Sequence, residues 1–292
     1  MVVNSRRFPC CGITISSPSH AVSRCRVLQM LDGRGTAVRP AIQPPAGTTD
    51  RASFEGLPAG DFWQTMICVS LAESTPRRLY RCIQAISCVA DVVEIRLDTL
   101  EDPWAFDVGE FIRHRPLPVI FTNRSADEGG CFQGTERQRI DLLVKAVSSG
   151  ADYVDIELAT DHVLRDRVLK EARRNAVKTI ISYHDFSGTP AEDHLIQVLI
   201  EEKTAGADIG KIVTMARDLN DVFRVLSLYF CRQREGLPLI AFCMGTAGKA
   251  SRLACLYTGA ILTYAAPAHD KETAPGQIPV RELKQMVDSL EN

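Results

Sequence analysis

Six familiar signatures are missing from this 292-residue chain, and each gap removes a class of protein. No stretch approaches the ~20 apolar residues of a membrane-spanning helix, so no membrane association is expected. No long apolar core follows the basic start, which disfavours a secretory signal. The 10 cysteines form no Cys-x-x-Cys pair, which speaks against a zinc ribbon, and no metal is expected. No Gly-x-Gly-x-x-Gly follows the first apolar run, and the glycines at 245 and 248 do not complete the nucleotide phosphate-loop pattern. Neither sign of charge dominates, the formal net charge being −2, so nothing marks nucleic acid as a partner.

What is present is the composition of an ordinary enzyme. With 45% hydrophobic residues the chain can bury a sizeable core. Cys68, Cys243 and Cys255 lie in apolar runs and read as small core residues. Such a core needs no disulfide scaffold, so reduced thiols in a reducing compartment are expected.

Residues 1–60 differ from the rest. They contain Arg6, Arg7, Arg24, Arg26, Arg34, Arg39 and Arg51 but no lysine, and the first acidic residue is Asp32. Arg-rich, Ser-rich and acid-poor composition is that of an organellar transit segment. An amphipathic pattern is absent, so a disordered extension, or a stretch upstream of the start codon in use, is the other reading. The Gln43-Pro44-Pro45-Ala46-Gly47 cluster marks a linker. The expected location is the cytoplasm, or an organelle if residues 1–60 act as a transit segment.

From residue 61 to 292 the chain alternates. Short apolar runs at 66–70, 92–97, 118–122, 153–158, 179–183, 209–214, 239–243 and 260–264 are separated by helix-compatible stretches such as 76–87, 135–148, 161–174, 190–203 and 218–234. Continuous apolar strands joined by helices imply a parallel sheet covered on both faces. Eight such units suit a closed (β/α)₈ TIM barrel better than an open doubly wound sheet.

In that architecture the active site lies at the C-terminal ends of the strands. The polar residues there are Ser70, Glu94 with Arg96, Arg124, Asp155 with Glu157, His184 with Asp185, and Lys211. Alternate strand residues share a face, so Glu94 and Arg96 point together, as do Asp155 and Glu157. Charges aimed at a core must be paired.

The centre of the pattern is Asp208-Ile209-Gly210-Lys211-Ile212-Val213-Thr214. Burial pushes a lone lysine toward its neutral, nucleophilic form, which attacks a ketone to give an imine. His184 lies one strand earlier, placed to move protons beside that imine. Arg252, after the seventh strand, offers a fork for a carboxylate, and the glycines before it could cradle a phosphate. The paired Gly129 and Gly130 suggest a mobile loop over a ligand. Gln277 in Ala274-Pro275-Gly276-Gln277 can both donate and accept. The other histidines, His20, His114, His162, His194 and His269, lack such context and read as tail or surface residues.

Several segments carry a family resemblance. They are Val93-Glu94-Ile95-Arg96-Leu97-Asp98, Thr122-Asn123-Arg124-Ser125-Ala126-Asp127-Glu128-Gly129-Gly130 and Asp155-Ile156-Glu157-Leu158. Further on come Ser182-Tyr183-His184-Asp185-Phe186, Gly206-Ala207-Asp208-Ile209-Gly210-Lys211-Ile212, Met244-Gly245 with Ser251-Arg252, and Ala274-Pro275-Gly276-Gln277. In that order, from about residue 64 to 290, they resemble the type I 3-dehydroquinate dehydratases (3-dehydroquinases) of the shikimate pathway of aromatic amino acid biosynthesis.

The resemblance implies a homodimeric (β/α)₈ barrel, a hydro-lyase converting 3-dehydroquinate to 3-dehydroshikimate and water with no cofactor. It implies that Lys211 forms the Schiff base, that His184 transfers protons, and that Glu157 positions His184. Arg252 would bind the substrate carboxylate. Glu94, Arg96, Arg124 and Gln277 would hold the ring hydroxyls, with Ser70 and Thr273 nearby. Three features depart from the family pattern: Thr273 replaces a common serine, Phe242 replaces a common methionine, and the stretch 267–272 is slightly longer. The last of these leaves the aromatic neighbour, Tyr264 being one candidate, undetermined.

Two other readings share parts of this pattern. A class I aldolase would use Lys211 but need neither His184 beside it nor a clamp at Arg252. A catalytically silent ligand sensor would have lost Lys211 or His184, and both are present.

Overall fold

The computed structural model describes residues 66–291. The residues read as an N-terminal extension, with its linker cluster, His20 and three cysteines, lie outside them.

Eight strands appear in the order of the apolar runs: β1 Met66–Leu71, β2 Val92–Arg96, β3 Val119–Thr122, β4 Tyr153–Glu157, β5 Lys178–Asp185, β6 Ile209–Met215, β7 Leu239–Met244 and β8 Leu262–Ala265. All neighbouring pairs are parallel, in the order β7-β6-β5-β4-β3-β2-β1-β8. β1 pairs with both β2 and β8, so the sheet curls into a barrel.

The helices are α1 Pro76–Ile86, α2 Val108–His114, α3 Glu136–Ser148, α4 His162–Arg174, α5 Glu192–Thr204, α6 Leu219–Leu226, α7 Leu228–Glu235, α8 Gly245–Gly248, α9 Ser251–Thr258 and α10 Val280–Glu291. Local chemistry sets their starts. Thr75 caps α1 with Pro76 in its first turn, Thr135 and Gln138 form a reciprocal capping box on α3, and Asp161 and Asp218 cap α4 and α6. α1 buries Leu79, Ile83 and Ile86, one stripe at helical spacing. The expected helix over 218–234 is divided at Ser227 into α6 and α7.

The barrel has one seam. No ladder joins β7 to β8 among the described residues, and Ile261 N donates to Leu239 O at 3.2 Å near its lower end. The buried edge of β7 that no ladder occupies is satisfied by side chains instead. The Tyr229 hydroxyl of α7 accepts from Ala241 N at 2.7 Å and donates to Ala241 O at 2.9 Å, and Ser251 Oγ accepts from Cys243 N at 2.8 Å. Buried backbone groups need such partners. The seam leaves room for the Arg252 side chain, which donates to Tyr264 O and Pro275 O.

Candidate active site

A pocket opens at the C-terminal end of the barrel. Its lining contains every expected site residue except Glu157: Lys211, His184, Ser70, Glu94, Arg96, Arg124, Arg252, Thr273 and Gln277.

Strand register sets the centre. Ser182 of β5 pairs with Lys211 of β6, so His184 stands two residues nearer the mouth on the adjacent strand. Lys211 is 4% exposed. Its amine is not isolated, as the sequence alone suggested. Nζ donates to Asp155 Oδ2 at 2.8 Å, lies 3.6 Å from Glu94 Oε1, and sits 4.2 Å above the Tyr264 ring. Glu94 in turn accepts from the Ser70 and Thr122 hydroxyls. Burial works to raise the Asp155 carboxyl, yet Arg124 and Lys211 hold it below the usual carboxylate range.

Glu157 does not partner His184. Arg124 Nη1, Ser125 N and Arg139 Nη1 all donate to it, at 3.0, 2.9 and 2.7 Å. The imidazole belongs to Glu128: His184 Nδ1 lies 2.8 Å from Glu128 Oε2, which also accepts from His184 N at 3.1 Å. With Nδ1–H donating, Nε2 is the basic nitrogen. Burial and the cations Arg124 and Lys211 hold this imidazole well below its ordinary range, and thus neutral. Burial pushes the Glu128 carboxyl up to about 8 against the pull of Arg124. The sequence signal was there, since Glu128 precedes the two glycines of the third loop.

Those glycines provide close approach. A side chain at Gly129, where φ is +81°, would meet the Phe186 ring at 2.7 Å, and one at Gly130 would meet Arg124 O at 1.9 Å. The tight turn brings Glu128 onto β5. The Gly245 N–H donates to Pro275 O at 3.0 Å, tying the seventh loop to the eighth, and so is not directed at a ligand.

The other polar residues divide into engaged and free. Arg96 makes a two-point bond to Asp98, at 2.8 and 2.6 Å. Arg124 spends its Nη atoms on Asp155, Glu157 and Ser182. Thr273 and Gln277 bond each other. Arg252 is 1% exposed and has no carboxylate within ion-pair distance among the described residues. Burial pulls its guanidinium down to about 10. Among those residues, no group of His, Cys, Asp and Glu is arranged to hold a metal ion. His114, His162, His194 and His269 are exposed, as expected.

A buried amine with a neutral imidazole one strand away thus lies in the pocket of an eight-stranded α/β barrel, and fold and site define that class of protein. The comparisons narrow it to one family. The family profile described as type I 3-dehydroquinase matches residues 67–292, and the chain belongs to that family. A 3-dehydroquinate dehydratase of Desulfotalea psychrophila is 38% identical over 219 residues, covering 75% of this chain and 95% of its own. The crystal structure of 3-dehydroquinate dehydratase from Geobacillus kaustophilus superposes with a TM-score of 0.68 at 28% identity, over 78% of this chain and 93% of that one. The type I 3-dehydroquinate dehydratase of Clostridium difficile, solved with covalently modified comenic acid, gives a TM-score of 0.69 at 27% identity, over 78% and 92%.

Proposed function

We propose that this chain dehydrates 3-dehydroquinate to 3-dehydroshikimate through an imine on Lys211. The observation that carries the reading is the Lys211 amine, buried against Asp155 in the cavity, with neutral His184 on the next strand. Family membership and the relatives' names support the substrate.

The steps balance. The neutral amine adds to the C3 ketone to give a carbinolamine, which takes up one proton and loses water, giving an iminium. Nε2 of His184 takes the C2 proton, and the bonding pair moves into the iminium, giving an enamine. The pair returns as the C1 hydroxyl departs, protonated by the imidazolium. Water then hydrolyses the conjugated iminium, releasing product, the neutral amine and the proton taken up at the start. No electrons are gained or lost overall.

Asp155 faces the Lys211 nitrogen and so serves as counter-ion to the iminium. Glu128, rather than Glu157, orients the imidazole and faces it when it is charged. Glu157 instead holds Arg124 and Ser125 N, fixing the third loop. Arg252 takes the carboxylate, and Glu94, Arg96, Gln277, Ser70 and Thr273 surround the ring hydroxyls.

The chain acts as a homodimer in the cytoplasm under this reading, and the barrel from residue 61 onward suffices for activity. Among the described residues no helix is long and apolar enough to cross a membrane. The test is the absorbance of 3-dehydroshikimate formed from 3-dehydroquinate by the whole chain and by a chain starting at residue 61, with light scattering for the dimer. Absence of product from both chains would refute the reading.

A further inference from the structure

Arg252 has a neighbour that the ion-pair pattern does not show. Its guanidinium carbon lies 4.6 Å above the centre of the Phe242 ring. Phe242 is buried on β7 and packs against Tyr264 of β8, the ring centres 6.0 Å apart and tilted by 49°. Tyr264 carries the Lys211 amine on its ring, 4.2 Å from the centre. The aromatic pair therefore separates the two cations.

The rest of the Arg252 environment is sparse. Nη1 and Nη2 reach backbone carbonyls at 3.4 and 3.3 Å, and Nε has no protein acceptor among the described residues. These are long hydrogen bonds, and no carboxylate fixes the plane. The Phe242 face does so. A guanidinium stacked on a ring keeps its in-plane N–H groups free for a two-point bond to a carboxylate.

We propose that Phe242 is a positioning residue for carboxylate recognition. Its ring, braced by Tyr264, fixes the plane of Arg252 and the spacing between that guanidinium and the Lys211 amine. The site thereby selects a ring whose carboxylate and ketone stand at the matching separation. Preorganisation of this kind lowers the ordering cost of binding. The inference rests on the dehydratase reading above.

The test is the steady-state kinetics of Phe242→Leu and Phe242→Met with 3-dehydroquinate, in wild-type and Arg252→Ala backgrounds, with thermal melts to confirm folding. Binding of quinate, which has the ring carboxylate but no ketone, is measured alongside. A desolvated cation–ring contact corresponds to a rise in KM on the order of 5- to 30-fold. The loss should fall on KM rather than kcat, weaken quinate in parallel, and vanish in the Arg252→Ala background. If one variant does not fold, the other still reads the contact; if neither folds, Tyr264→Leu removes the brace and should raise KM in the same way. An active wild type whose folded variants keep their KM, or lose kcat alone, would overturn the proposal. A wild type that makes no product, yet binds quinate less well after Phe242→Leu, would sink the dehydratase reading and leave the ring's role standing.

Discussion

From β2 to β6 the cations of the cavity meet carboxylates: Arg96 meets Asp98, Arg124 meets Asp155 and Glu157, and Lys211 meets Asp155. Across the cavity, where β7 meets β8, Arg252 is as deeply buried and has aromatic rings and carbonyls for company. The first wall is balanced before any ligand arrives, so its charges are held still for chemistry. The second carries a charge with no carboxylate at ion-pair distance among the described residues, the kind of charge an anion would relieve. The difference teaches that burial alone does not identify a working cation, and that its partners do.

The sharpest way to break the comparison is to unbalance the first wall. Asp155→Asn leaves Lys211 and Arg124 short of one charge, and should cost about 3–5 kcal/mol of stability, read by denaturant unfolding. Arg252→Met makes the opposite change in the second wall. It should raise KM for 3-dehydroquinate roughly 30-fold or more while raising the thermal midpoint of the free protein. Equal destabilisation by both variants would erase the distinction.

A smaller effect tests the imidazole's partner. Glu128→Gln should lower kcat by ~10-fold, because the imidazolium loses a hydrogen-bonded acid that can ionise against it. The sign of its pH effect follows from the raised carboxyl. The fold holds this proton more tightly than the unfolded chain does. The stability it contributes is therefore full below the ordinary glutamate value of 4.5 and lost as pH rises through about 8. The wild-type midpoint should thus fall relative to Glu128→Gln across that window. His184 has the opposite sign, but both proteins keep it. The smallest effect concerns the Tyr264 hydroxyl, which is buried without a protein partner among the described residues. Tyr264→Phe should raise stability by about 1 kcal/mol in the same unfolding assay.

The barrel was legible because its strands are unbroken apolar runs and its helices carry caps such as Thr75 and Asp161. Ends were less so. β8 begins at Leu262 rather than 260, because Ala260 N is taken by Cys255 O at the end of α9. The division at Ser227 had no glycine or proline to announce it. Lys211 and His184 could be placed because adjacent strand ends are neighbours in space. The role that the resemblance implied for Glu157 is not reflected in its contacts: β4 does pair with β5, but Arg124 and Arg139 claim its oxygens. Glu128 sits in a loop, where periodicity says nothing about direction. Strand alternation put Asp155 on the right face without revealing that it bridges two cations.

The account turns on covalent capture of the ketone by one amine. Borohydride added during turnover with 3-dehydroquinate, followed by peptide mass spectrometry, should find the reduced adduct on Lys211 and abolish activity, and Lys211→Ala should show neither adduct nor product. Full activity after reduction, or an adduct on another lysine, would contradict it.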